Sequence, residues 1–226
     1  MDFDFLSPID ERLLAHNLML PEQVIGRNLS IHTQKDGIPE LTDVRVALVS
    51  LEPRLVKGEP LHLRFRHQFY QLFVGNWDFS CADLGVLHSG DHPKDTLFAL
   101  KTLVKELHQR NIFTIVVGGE QENTLGMFRG LSGMNTYVNL TSIDARFDFG
   151  EPGVLVSDDS YMSNIITEKP NNLKQFTNLG YQSYYISQEE LDLMQKLFFD
   201  AYRLGDIAAD LHESEPILRD TDILSV

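Results

Sequence analysis

The stretch "PKDTLFALKTLVKELHQRNIFTIVVGG", residues 93–119, holds the alternation on which the fold depends. Its first part reads as a helix. Leu97, Leu100, Val104 and Leu107 recur at i, i+3, i+7 and i+10 on one face, and Pro93 suits the first turn. Its last part, "IFTIVVGG" (112–119), is continuously apolar and β-branched, which predicts a strand buried on both faces.

The same alternation continues in both directions. Upstream, "VRVALVSL" (44–51) reads as a strand, "LHLRFRHQFYQLF" (61–73) as a helix and "FSCADLG" (79–85) as a strand ending in Asp83 and a glycine turn. Downstream, "QENTLGMFRGL" (121–131) reads as a short helix and "TYVNLTSI" (136–143) as a strand. Then come "LKQFTNLGY" (173–181), a helix from Gln188 to about Leu197, "AYRLGDI" (201–207), a helix near 208–218 and a terminal strand. Strands separated by helices imply βαβ crossovers and a mainly parallel sheet, hence an α/β fold. "EKPNNLKQ" (168–175) reads as an insertion rather than a linker, so residues 1–226 are expected to form a single domain.

Bulk properties narrow the function. Hydrophobic content of 42% and charged content of 23% are those of an ordinary globular chain. With 33 acidic and 19 basic residues, the formal charge of −14 disfavours nucleic acid and anionic membranes as partners. Cys81 is the only cysteine, so neither an intramolecular disulfide nor a cysteine-based zinc site is available. The acidic opening "MDFDFLSPIDERLL" is unlike a signal peptide, and "LLAHNLML" is too short to span a bilayer; a cytoplasmic location is expected. The chain closes on "RDTDILSV", an apolar run of strand type with no polar tail, and a shortened chain is the expectation.

In open parallel sheets, ligands bind beyond the carboxyl ends of the strands. Three polar constellations are expected there: Asp83, the "GGEQEN" turn (118–123) and the "DARFD" turn (144–148). The first turn lacks the spacing and the lysine of a nucleotide loop. Gly118 and Gly119 could serve the turn alone, with Glu120 to Glu122 charging a helix N-terminus favourably.

Taken together, "IVVGGEQEN" and "NLTSIDARFDFG" resemble the arginase, agmatinase and formimidoylglutamase family, the ureohydrolases, and look closest to the formimidoylglutamase-like branch. That pattern is a strand, a glycine pair, a variable residue and a histidine, followed one βα unit later by Asp-Ala-His-x-Asp. The likeness extends to "DLG" (83–85), the helix before "IVVGG", and "NLGYQSY" (178–184). It implies a three-layer α/β/α sandwich that is arginase-like, oligomers such as trimers and hexamers, and two manganese ions sharing a hydroxide. That hydroxide would attack the carbon of a linear amidine or guanidine. Two divalent ions supply hydroxide at neutral pH and stabilise the tetrahedral intermediate.

Carried over by resemblance, the histidine after the glycine pair matches Gln121. The second motif's aspartates match Asp144 and Asp148, and its histidine matches Arg146. Asp144 and Asp148 are thus the retained metal positions, and Gln121 and Arg146 the altered ones. The family's final Asp-x-Asp pair would follow a strand that "DILSV" resembles, and no histidine occurs between Arg146 and His212.

Two outcomes are open for Arg146. On an extended strand, residues 144, 146 and 148 share one side, so its guanidinium could form a salt bridge with Asp144, Asp148 or both in place of an ion. Alternatively, Arg146 swings to solvent and a single metal binds the two carboxylates. Other clusters are weaker. "HSGDH" (88–92) could suggest zinc, but it precedes a helix that Asp91 or His92 would cap. The aromatic residues of "LHLRFRHQF" are expected to face the core. Ser80, Ser142 and Ser163 lack a nearby histidine for a triad. Glu120, Glu122 and Asp83 remain possible polar contacts for a ligand.

Two function classes follow. One is a catalytically weak or silent ureohydrolase relative, acting as a metabolite-binding or interaction subunit. The other is an active, divergent manganese-dependent hydrolase of formimidoylglutamate or agmatine. A pair of aspartates beyond Val226 would favour the second.

Overall fold

The computed structural model describes residues 3–52, 58–76, 79–134, 136–153 and 155–226. Its contacts divide the chain into two compact units, Met1–Gly119 and Glu120–Val226. Each has a mainly parallel sheet with helices, so the mixed α/β class expected from the alternation is observed.

The first unit contains β1 (Leu6–Ser7), α1 (Glu11–Leu18), α2 (Ile25–Asn28), β2 (Ser30–Ile31), β3 (Val44–Glu52), α3 (Leu61–Phe69), β4 (Ser80–His88), α4 (Pro93–Gln109) and β5 (Phe113–Gly118). Its sheet runs β1-β4-β3-β5, with β2 also pairing β4. Among its described strands, β1–β4 is the antiparallel pairing, and the others are parallel. Helix α4 forms where the apolar spacing requires it. It starts at Pro93, Asp95 Oδ2 accepts the His92 N–H at 3.0 Å, and Leu97, Leu100, Leu103, Val104 and Leu107 are buried. Each buried leucine contributes roughly 1.5–3 kcal/mol. The "HSGDH" segment is therefore a capping loop, with His88 Nδ1 3.9 Å from the Glu52 carboxylate.

Three expectations fail here. First, β4 does not stop at Asp83 but continues to His88. Gly85, read as a turn, stays in the strand at φ +93, and a Cβ there would lie 2.1 Å from Ser7 O. The glycine is needed for the close approach of β1. Second, among the described residues of the first unit β5 pairs with β3 alone and ends its sheet, and Phe113 and Ile115 are 65% and 40% exposed. A continuously apolar run cannot by itself distinguish an edge from a centre.

Third, α3 ends at Phe69, and its fully buried residue is Arg66 rather than an aromatic one. Phe65 and Phe69 stack at 5.2 Å and are partly covered, and Phe69 packs against the core formed by Ile9, Leu13 and Tyr70, so the expectation that the aromatic residues face the core is met in part. Arg66 Nε and Nη2 donate to Asp83 Oδ2 and Oδ1 at 2.8 and 2.7 Å. The guanidinium also donates to Ser50 Oγ and Gly85 O, at 2.7 and 2.9 Å. Tyr70 OH and the Gly85 N–H complete the carboxylate, at 2.9 and 3.0 Å. A buried ion pair is tolerated when its remaining hydrogen-bonding capacity is satisfied in this way.

The second unit contains α5 (Thr124–Ser132), β6 (Val138–Ile143), α6 (Tyr161–Thr167), β7 (Leu173–Tyr181), α7 (Gln188–Lys196), β8 (Asp200–Arg203), α8 (Leu204–Ala209), α9 (Ser214–Arg219) and β9 (Ile223–Ser225). The order is β8-β7-β6-β9, parallel throughout. The helix expected near 208–218 is broken: α8 ends at Ala209, and a 3-10 turn at Leu211–Glu213 precedes α9. On one face of the sheet, Leu140, Phe176 and Ile223 are aligned by register and buried. Leu125 and Phe128 of α5 and Met162 and Ile165 of α6 are buried in the same unit, and α5 contacts β6, β9 and α6. Among the described residues, no helix is long and apolar enough to cross a membrane.

Candidate functional site

At the end of β5, Gly118 and Gly119 adopt φ +89 and +79, as a sharp turn requires. A Cβ on Gly118 would stand 2.7 Å from Leu51 O, so the pair is needed for backbone geometry in the first unit. Asp83 belongs to the same unit and is fully engaged by Arg66 and Tyr70, so it is not an open ligand contact.

The second unit carries Gln121, Asp144, Arg146 and Asp148. Strand β6 ends at Ile143, and the chain bends at once. Asp144 Oδ1 accepts the N–H of Arg146 at 2.8 Å, a local turn that aspartate favours. Asp144 N–H donates to Leu179 O and Gln182 N–H to Ala145 O, tying the bend to the end of β7. Phe147 is fully buried, 5.4 Å from the ring of Tyr181 and 5.7 Å from that of Phe149. Asp148 then takes φ +55, a left-handed conformation that aspartate tolerates better than most residues. Residues 144–148 are thus a pinned turn, and the expected extended geometry with three side chains on one side is not present.

That turn decides the position of Arg146. Its side chain is exposed, and its guanidinium carbon lies 4.8 Å from the centre of the Tyr185 ring. Tyr184 packs edge-on against Tyr185 at 4.8 Å. Among the described residues, Arg146 makes no ion pair with Asp144 or Asp148. The expected internal salt bridge is therefore replaced by a cation–π contact, because the bend at Asp144 directs the guanidinium away from the carboxylates.

Asp148 is left in an unusual state. Its carboxyl group is buried, and Oδ2 has no hydrogen-bond partner among the described residues. Its pKa is pushed up to about 7, chiefly by burial and then by Asp144, Asp159 and Asp158, against a lowering contribution from Arg146. Glu122 is raised by burial, then by Asp158 and Glu120. Its backbone N–H donates to Asp158 Oδ1 at 3.0 Å.

Gln121 points elsewhere. Its Nε2 reaches the hydroxyl of Tyr161 at 3.5 Å. Tyr161 is fully buried, and its phenol pKa is raised by burial and then by Asp148. Asn178, also buried, donates to Ser142 Oγ at 3.0 Å and to Arg146 O at 2.8 Å, bracing the turn from β7. Tyr161, Asp158, Asp159 and Tyr185 were not foreseen. They come from segments with no motif, and only folding brings them beside residues 144–148.

The sequence model of the Arginase family matches residues 51–218. A search of curated proteins finds no match. Among solved structures, formiminoglutamase from Trypanosoma cruzi with Mn2+ is similar at TM-score 0.66 and 14% identity, covering 80% of this chain and 66% of that one. Formimidoylglutamase from Bacillus subtilis gives 0.64 and 12%, covering 93% and 74%. The agmatine ureohydrolase of Thermoplasma volcanium gives 0.61 and 14%, covering 93% and 72%. The chain thus spans about two thirds of the length of these proteins, and at such identities the likeness concerns the fold.

Proposed function

The chain belongs to the arginase family, and on that premise we propose that its hydrolytic chemistry on linear amidine or guanidine C–N bonds is weak or lost. The observation that carries this reading is the pairing of Arg146 with Tyr185, at the motif position where the resemblance expects a histidine. Manganese is implied by the family, and the residues present do not fit a pair of such ions. Asp144 and Asp148 supply hard oxygen donors, but Gln121 turns to Tyr161, and a guanidinium has no lone pair to offer. Among the described residues, no group of three His, Cys, Asp or Glu side chains is arranged to hold a metal ion. The protein would then act as a cytoplasmic metabolite-binding or interaction subunit, assembled as a homo-oligomer as its family implies.

A second reading is an active, divergent hydrolase with an unusual metal set. The unpartnered buried oxygen of Asp148 favours it, because that oxygen beside Asp144 could bind a single cation. Thermal denaturation with micromolar manganese and with chelator separates the two. The first reading expects the same midpoint in both and no release of ammonia, urea or formamide from family substrates. A midpoint raised by several degrees in manganese, with turnover abolished by Asp144→Ala, would establish the second.

A further inference from the structure

Parallel sheets are usually apolar on both faces, because crossover helices cover each side. The sheet of the second unit breaks that rule on one face, toward the amino ends of its strands. Register aligns Asn139 with Gln175, Thr141 with Thr177, and Thr177 with Asp200, so five polar side chains from β6, β7 and β8 share one surface. Thr141 and Thr177 are only 2% and 6% exposed. Such a polar floor costs stability that leucine or valine would not, and local violations of this kind tend to mark functional positions.

The floor opens into a cavity of about 680 Å³, walled by α9 through Pro216 and Ile217. That volume is typical of small-molecule sites. The cavity lies at the opposite end of β6 from the 144–148 turn, so it is separate from the site described above.

From this geometry we infer that the cavity is a binding site for a neutral polyhydroxylated ligand, of the sugar or polyol class. Several polar atoms there are already positioned by the fold. Asn139 Nδ2 donates to Asp220 O at 2.9 Å, Gln175 Nε2 to Asp200 Oδ2 at 2.9 Å, and Thr141 shares a 2.7 Å hydrogen bond with Thr221. These bonds orient the carboxamides and leave capacity over. Asn139 Oδ1, Gln175 Oε1 and Asp200 Oδ1 take no part in these bonds. The remaining groups are thus mostly acceptors, with hydroxyls of Thr177 and Tyr202 that can act either way.

Vicinal hydroxyls, each a donor and an acceptor, match that set. A carboxylate such as Asp200 can accept from two neighbouring hydroxyls, and Tyr202 contributes a ring to the wall. Lys174 stands against Asp200 and Asp220, so the lining is net negative and disfavours phosphorylated ligands.

The test is saturation-transfer NMR on the full 226-residue chain with D-glucose, maltose and myo-inositol at millimolar concentration, and with inorganic phosphate as a separate probe. Binding of at least one hydroxylated probe is expected, weakened tenfold or more by Asp200→Ala or by the near-isosteric Thr177→Val. Circular dichroism and the melting midpoint confirm that both variants fold. The inference is overturned if none of the three probes shows transfer, if the signal is unchanged in both variants, or if phosphate binds and the hydroxylated probes do not.

Discussion

The guanidinium carbon of Arg146 lies over Tyr185, 4.8 Å from the ring centre, while the residue's own backbone N–H is held by Asp144 Oδ1 at 2.8 Å. The two contacts act together. The aspartate turns the chain, and the turn delivers the cation to an aromatic face instead of to the carboxylates on either side of it.

A double-mutant cycle of Arg146→Ala and Tyr185→Ala should therefore show a coupling of about 0.5–1 kcal/mol, the range for an exposed cation–π pair. The corresponding cycle of Arg146→Ala with Asp148→Asn should show much less. Urea denaturation measures both, and a larger coupling to Asp148 would restore the salt bridge that the turn excludes.

Asp148 makes stability depend on pH in an unusual direction. Its folded pKa of about 7 stands above the ordinary 3.8, so between those values the folded chain holds a proton that the unfolded chain has released. The stabilisation is complete below about pH 4 and is lost as pH rises through 7. At about 1.4 kcal/mol per pKa unit, the difference amounts to a few kcal/mol. Asp148→Asn should thus raise the urea midpoint at pH 8 and leave it nearly unchanged at pH 4. Parallel curves for variant and parent across that range would contradict the assignment.

Inside the first unit, Arg66 and Asp83 are both fully buried and bind each other through two hydrogen bonds. Asp83→Asn leaves a guanidinium without its counter-charge and should cost about 3–5 kcal/mol. Arg66→Met combined with Asp83→Leu should cost clearly less than the sum of the single changes, since no uncompensated charge remains. Equilibrium denaturation reads each value, and a cost below about 1 kcal/mol for the single change would show that the pair is hydrated.

The site was legible only in part. The aspartates at 144 and 148 and the changed residues at 121 and 146 are assigned by resemblance from motif spacing, because the ligand pattern of the family is linear in sequence. The role of Arg146 was not, because an extended strand and a turn place position 146 differently, and the hydrogen bond that makes the turn depends on how Asp144 is held by β7. Asp83 was misplaced for a related reason. A glycine two residues later signals a turn in most contexts, whereas Gly85 admits the backbone of Ser7 beside a continuing strand.

Sequence alone determined the α/β class, the α4 helix from its apolar spacing, the capping role of residues 88–92 and the family, since all of these rest on periodicity or on short linear motifs. Tertiary structure alone decided that β5 ends the first unit's sheet among the described residues, that Arg66 is the buried residue of α3, that Asp148 Oδ2 is left without a partner there and that Arg146 meets Tyr185. Those outcomes depend on which distant segments come together and how much water they exclude, and neither quantity is written in local spacing.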